Sequence, residues 1–361
     1  MGECFTNRGK EISELKHYIL AAQNVFMYSK RRLGKTSLIK TVLEELSQEK
    51  ETIAIYVDIQ QATSMAQFLE IYSQAISKAL ITWKEKMEKI ASFFSRITPI
   101  FEIRPDGQWK VTFDFSKARG SVDRALEEVY ELPQKIARSY KKRVVVVFDE
   151  FQEVSRLNGE GFEKKLRSFI QHHHEVCYIF TGSKTHIIMQ MFADPNRAFY
   201  KSAEVYPLEP IPADEMIAFI IERFAVTSKS ISENLAKEII QLSKNSPYHV
   251  QMLCWHVWLA AEKGVSQTDI QVGLEEIIHH QNELFYTWYD SVSLSQRAVL
   301  RTLARTNQIF SQETILNYNL GSISTVQASI RSLVKNGLVD KDKKGYSLVD
   351  PFFQIWLERN T

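Results

Sequence analysis

The sequence predicts an α/β fold: a three-layer core around a parallel sheet, followed by an α-helical region and a C-terminal domain of three helices and a hairpin. Three observations predict it. Over roughly the first 200 residues, short β-rich runs alternate with helical periodicities, the pattern of a sheet covered by helices on both faces. The run Val144–Phe148 is uninterrupted and almost wholly β-branched, as expected of a strand buried on both sides. After Pro207 and Pro210 the strands stop and helical spacing takes over.

Composition sets the bounds. The chain has 361 residues, 44% hydrophobic and 24% charged, which suits a globular protein of two or three domains. Its net charge of +2 excludes a polyanion binder by bulk composition, so any nucleic-acid contact must come from a local basic surface. The cysteines Cys4, Cys177 and Cys254 are odd in number and match no metal spacing, which argues against a disulfide framework and for a reducing cytoplasm. No run reaches the ~18 apolar residues of a membrane span, and the polar opening lacks a signal peptide's apolar region.

The elements follow in order. Residues 11–22 read as a helix with Ile12, Leu15, Ile19 and Leu20 on one face. Asn24–Tyr28 reads as a strand and the segment to residue 46 as a helix. Thr52–Ile59 is a second strand, with helix to about residue 95. Residues 100–116 alternate around Asp106-Gly107, a hairpin within an insertion of about 84–120. Helices are expected at 121–140, 160–173 and 184–192, and strands at Val176–Thr181 and Glu204–Tyr206. The expected domains are a core at 1–208, a helical lid at 209–288 broken at Asn245-Ser246-Pro247, and a last domain at 289–361 ending in an apolar tail.

The chemistry begins at Ser29-Lys30-Arg31-Arg32-Leu33-Gly34-Lys35-Thr36-Ser37, between the first strand and its helix. Gly34-Lys35-Thr36 completes a phosphate loop whose first glycine is replaced by Ser29. Backbone N–H groups at such a helix start cradle phosphates. Lys35 would neutralise the β and γ phosphates of ATP, and Thr36 would place its hydroxyl on Mg²⁺. The buried strand ends in Asp149-Glu150, which places two carboxylates at the C-terminal sheet edge where ligands of open α/β folds bind. Asp149 is the Mg²⁺ candidate and Glu150 the general base, against the plain reading of acids at a helix start. Gln152 orients water or is an exposed polar residue. At the next strand's end, Ser183 or Thr181 would sense the γ-phosphate, against a plain turn. Arg197 is a candidate arginine finger or an ordinary surface arginine. His172-His173-His174 reads as a solvated helix end, because consecutive helical residues point apart.

Residues 291–361 hold nine Lys/Arg against five Asp/Glu. Helices at 295–305, 311–317 and 322–336 and a hairpin around Lys343-Lys344-Gly345 make a winged helix-turn-helix pattern. Gln327, Ser329, Arg331 and Lys335 lie on its third helix, and Lys341, Lys343 and Lys344 flank the hairpin. Such a surface fits double-stranded DNA, or else protein contact.

With these motifs in hand, nearly the whole chain resembles the archaeal-type P-loop ATPases of the AAA+/STAND group, whose core is RecA-like. Phe5–Ile12 is similar to the family's opening, Arg31–Leu38 to its phosphate loop, Phe148–Gln152 to its Walker B strand and Thr181-Gly182-Ser183 to its sensor strand. Pro247-Tyr248 resembles its lid motif, and Asp350-Pro351-Phe352-Phe353 the close of its winged helix. The resemblance implies that Arg8 and Pro247 lie near the nucleotide, and that nucleotide state switches core, lid and winged helix. ATP would sit between core and lid. Two departures stand out: Ser29 for glycine, and Tyr200-Lys201-Ser202 where relatives often carry Tyr-Gly-Arg, so the family's arginine at that place is not assigned to a residue here. The expected function is a cytoplasmic, Mg²⁺-dependent switch ATPase acting on DNA, itself or another protein. The alternatives are a non-hydrolysing nucleotide-gated regulator and a protein-interaction switch.

Overall fold

The structure is a computed structural model that describes residues 8–82, 87–95, 97–103, 109–114, 122–157, 159–183, 185–342 and 345–360. The chain divides into two units, Met1–Glu209 and Pro210–Thr361. In the first, strands β1 (Val25–Tyr28), β2 (Thr52–Asp58), β3 (Thr98–Ile103), β4 (Trp109–Asp114), β5 (Arg143–Asp149), β6 (Val176–Gly182) and β7 (Glu204–Pro207) alternate with helices. These are α1 (Gly9–Leu20), α2 (Lys35–Gln48), α3 (Met65–Thr82), α4 (Met87–Ser92), α5 (Val122–Tyr140), α6 (Gly159–Ile170) and α7 (Thr185–Ala193). Within the segment expected as helix to about residue 95, α3 covers Met65–Thr82 and α4 Met87–Ser92, and residues 83–86 lie outside the described residues.

Five strands form a parallel sheet in the order β2-β5-β6-β1-β7. Strand β6, not β5, flanks the strand that feeds the phosphate loop. Strands β3 and β4 pair antiparallel as the expected insertion hairpin, with Phe101 opposite Val111; its Asp106-Gly107 turn lies outside the described residues.

Alternation along the strands sorts side chains into two layers. Val144, Val146 and Phe148 of β5 join a core with Phe68 and Tyr72 of α3, Val129 of α5 and Phe162 of α6. Val145 and Val147 point the other way, into a core with Leu15 and Ile19 of α1 and Leu38 and Val42 of α2. Continuing the alternation puts Asp149 on the α2 face. Tyr56 of β2 packs on that face too, and Thr181 follows Cys177 and Ile179 onto it from β6. Strand periodicity alone therefore aims three polar side chains at the start of α2.

The second unit comprises α8 (Ala213–Val226), α9 (Glu233–Leu242), α10 (Pro247–Ala260), α11 (Gln267–Asp290), α12 (Leu294–Arg305), α13 (Gln312–Asn317), α14 (Ile323–Lys335), β8 (Val339–Asp342), β9 (Gly345–Leu348) and α15 (Pro351–Asn360). One core runs through it: Ile220, Leu253, Ile277 and Phe285 pack with Val299, Leu333, Phe352 and Trp356. Helix α11 passes straight through residue 288. The segments expected as separate lid and winged helix thus share a core. The wing pairs Val339 with Leu348. The apolar tail is a helix, because Asp350 caps it, accepting from the N–H groups of Phe352 (3.0 Å) and Phe353 (3.1 Å), and Pro351 suits the first turn. Asp350 also meets His249 Nε2 at 3.2 Å, which ties α10 to α15.

His173 departs from the solvated reading. Its neighbours His172 and His174 are exposed, but His173 is buried, with Nδ1 2.7 Å from the Tyr178 hydroxyl. The chain turns back into β6 within five residues, and that turn folds the middle histidine inward.

Candidate functional site

Strand β1 delivers the chain to the phosphate loop. Gly34 has φ +85°, with nothing near the position a Cβ would take, so backbone conformation alone demands glycine there. Arg32 also has positive φ, +67°, which marks the loop as strained. Ser29 is not among the positive-φ residues, so serine in place of glycine costs no backbone strain. It contributes instead: Lys35 Nζ donates to Ser29 Oγ at 3.2 Å, and that hydroxyl donates to the Lys30 carbonyl at 2.8 Å. Lys35 is buried, and burial pushes its pKa down while Glu150 and Asp149 pull it up. A buried ammonium at a helix start is a ready partner for a phosphate. Thr36 and Ser37 follow in the first turn of α2, half-buried, whereas Lys30 and Arg31 are exposed.

Arg8 is buried and braces this loop, donating to the Leu33 carbonyl at 3.3 Å and pairing with Glu11. The preceding residues, Phe5–Asn7, lie outside the described part.

The acids sit at the end of β5. Asp149 is 4% exposed. Its Oδ2 accepts from Thr36 Oγ1 at 3.0 Å and from the Tyr56 hydroxyl; its Oδ1 accepts from the Thr181 hydroxyl and from the Glu150 N–H at 3.0 Å. Glu150 takes a left-handed conformation, φ +53°, at the start of a 3-10 turn over Phe151–Arg156. Phe151 anchors that turn, its ring 4.7 Å from Phe180 and 5.3 Å from Phe199. The Glu150 carboxylate accepts from Ser183 Oγ at 2.8 Å and from the Gln152 amide. Both sensor candidates therefore engage an acid: Thr181 reaches Asp149 and Ser183 reaches Glu150.

Gln152 is not exposed but 1% accessible. Gly182 makes room for it: a Cβ there would stand 2.2 Å from Gln152 Oε1 and 2.6 Å from Ile188 Cδ1. Sequence reasoning missed this contact and missed Tyr56, which belongs to no motif. Strand parity, extended across β2, was the available signal for Tyr56.

Thr36 and Asp149 bring a hydroxyl and a carboxylate to one point beside the phosphate loop. An all-oxygen donor set of this kind fits Mg²⁺, which is held by one or two carboxylates together with substrate phosphates. No cluster of three or more His, Cys, Asp or Glu able to hold a metal occurs among the described residues.

Other expected residues lie elsewhere. Arg197 is an ion-pair partner, not a free finger: its Nε donates to Glu163 at 3.0 Å and its Nη2 to the other oxygen of that buried carboxylate. A buried acid on α6 needs such a cation, which accounts for the arginine. Pro247 opens α10 after the cap Ser246, a position that tolerates a missing N–H. On α14, Gln327, Arg331 and Lys335 are all exposed and spaced by four, one stripe along the helix. Ser329 is buried, 3.4 Å from the Ser295 hydroxyl, so it leaves the set of surface contacts. Lys341 is exposed; Lys343 and Lys344 lie outside the described residues. Among the described residues, no helix is long and apolar enough to cross a membrane.

Comparison with known proteins bears on the family and the fold. Residues 283–359 match a probable winged helix domain. An uncharacterized ATP-binding protein of Methanocaldococcus jannaschii is 27% identical over 164 residues, 44% of this chain and 41% of that protein, so the likeness spans under half of either. Among solved structures, the Walker-type ATPase of Pyrococcus abyssi superposes with TM-score 0.67 at 16% identity, covering 98% of this chain and 96% of that one. The ORC1 protein of Aeropyrum pernix, solved in complex with DNA, superposes with TM-score 0.53 at 14% identity, covering 99% and 93%. At these identities the superpositions speak for the fold alone. Residues 5–253, well over half of the chain, match the family described as the ATPase domain predominantly from Archaea, and the chain belongs to that family.

Proposed function

We propose that the chain is a switch ATPase of the AAA+/STAND kind, binding ATP with Mg²⁺ and hydrolysing it, with a winged helix that reads out nucleotide state on double-stranded DNA. The observation that carries the reading is the strand end where Asp149 meets Thr36 and Glu150 is held by Ser183 and Gln152. Lys35 and the N–H groups at the start of α2 bind the phosphates. Mg²⁺ held through Thr36 and Asp149 would neutralise phosphate charge. Glu150 accepts a proton from the attacking water, and two hydrogen bonds fix the carboxylate's direction for it. Ser183, bonded to Glu150, would carry a change at the terminal phosphate to that carboxylate. The DNA half rests on the match to a winged helix domain, on the Gln327–Arg331–Lys335 stripe, and on a DNA-bound protein of the same fold.

Phosphate release from ATP, with and without duplex DNA, tests both halves. Wild type should turn over. Glu150→Gln should lose about 10²-fold or more of the rate yet keep ATP binding, since general-base catalysis is worth roughly 10²–10⁴-fold. Lys35→Ala should lose binding itself. A wild type that binds ATP but releases no more phosphate than Glu150→Gln, with or without DNA, would make the chain a nucleotide-gated regulator without hydrolysis.

A further inference from the structure

Tyr56 stands 93 residues from Asp149 in sequence, yet its hydroxyl donates to the Asp149 carboxylate. It is half-buried on β2, an edge strand of the sheet. A phenol carries its proton at neutral pH, so the hydroxyl is the donor in this contact. Lys40 of α2 lies over its ring, 5.4 Å from the centroid, and links the ring to the helix that begins in the phosphate loop.

A carboxylate offers about four acceptor positions on its two oxygens. At Asp149 donors stand on both sides: Thr181 and the Glu150 N–H on Oδ1, Thr36 and Tyr56 on Oδ2. Thr36 is itself a candidate metal ligand. Among the described residues, Tyr56 is thus the one donor on Oδ2 that belongs neither to the phosphate loop nor to the acidic strand. Hydrogen-bond partners of metal-binding carboxylates set their orientation, and their loss typically costs about 10–100-fold in metal affinity or activity.

We propose that Tyr56 is a positioning residue for the Mg²⁺ site: its hydroxyl fixes the orientation in which Asp149, together with Thr36, holds the cation. The inference rests on the reading of Asp149 as a Mg²⁺ holder.

The test is binding of a fluorescent ATP analogue to the full chain, first in EDTA and then across a Mg²⁺ titration, with melting temperature measured in parallel. Four proteins are compared: wild type, Tyr56→Phe, Asp149→Asn and Tyr206→Phe. Tyr206 is the control, because its hydroxyl bonds Glu14 at 2.6 Å on the same side of the sheet and not Asp149. Tyr56→Phe should keep wild-type melting and EDTA affinity while its Mg²⁺ midpoint rises about tenfold. Tyr206→Phe should keep the wild-type midpoint, and Asp149→Asn should lose the Mg²⁺-dependent gain. A wild-type midpoint in Tyr56→Phe, or an equal shift in Tyr206→Phe, overturns the proposal. If Asp149→Asn keeps its Mg²⁺ dependence, the underlying reading of Asp149 fails, and that result differs from failure of Tyr56 alone.

Discussion

The end of β5 and the exposed stripe of α14 both carry charged residues, and they are built in opposite ways. At β5 each carboxylate is tied to two or more protein donors, drawn from β2, α2, β6 and the turn after Glu150. On α14, Gln327, Arg331 and Lys335 stand exposed with one helix turn between them. Chemistry on a bound phosphate needs groups fixed before the substrate arrives, which a low-dielectric, hydrogen-bonded setting supplies. Binding a polyanion needs charge that can adapt, which solvated side chains supply. Changes in the first unit should therefore propagate through partners, whereas changes on α14 should add independently.

The largest break of this contrast is expected at Arg197. Removing it leaves Glu163, fully buried, without its cation, and an uncompensated buried charge costs about 3–5 kcal/mol. Part of the arginine is exposed, so the lower end of that range is expected. Arg197→Ala should melt well below wild type, and Arg197→Ala combined with Glu163→Met should recover much of the loss. An Arg197→Ala protein with wild-type melting and lost turnover would restore the arginine-finger reading.

His173 should give a smaller, pH-dependent effect. Burial, reinforced by the charges of His172, Arg138 and His174, lowers its pKa from the ordinary 6.5 to about 4. The folded chain therefore keeps it neutral while the unfolded chain binds its proton between those values. The contribution is fully present above pH 6.5 and is lost as pH falls toward 4, amounting to roughly 3 kcal/mol over the window. Urea midpoints from pH 7.5 to 4.5 should fall more steeply for wild type than for His173→Gln. Parallel slopes would place the acid sensitivity in the carboxylates instead.

The two regions were also unequally legible. Gly34-Lys35-Thr36 and Asp149-Glu150 are contiguous strings whose chemistry follows from their place at strand ends, so both could be read directly. Ser29 departs from a motif glycine that permits positive φ, and the backbone at this position does not use positive φ. Tyr56 was invisible because nothing local marks it, and only the pairing of Asp58 with Asp149 brings β2 alongside the acids. Nothing local shows why glycine stands at 182, because the side chain of Gln152, thirty positions away, is what excludes a Cβ. His173 misled for a related reason: helix periodicity ends there, and its partner Tyr178 belongs to the next element. On α14 the stripe was legible as spacing, but burial of Ser329 depended on packing against α12.

That stripe yields the smallest expected effect and the most direct test of additivity. A cation that neutralises a DNA phosphate releases condensed counterions, and each contact contributes about 0.9 to the slope of log affinity against log salt. Arg331→Ala and Lys335→Ala should each lower the slope by about 1, and the double variant by about 2, with nonspecific duplex as the probe. Melting should stay at the wild-type value, since both side chains are exposed. Gln327→Ala should leave the slope unchanged because it removes no charge. Slopes that fall by less than the sum would mean that the two cations share one phosphate, contrary to independent action. Slopes that do not move at all would remove DNA from this face and leave it to a protein partner.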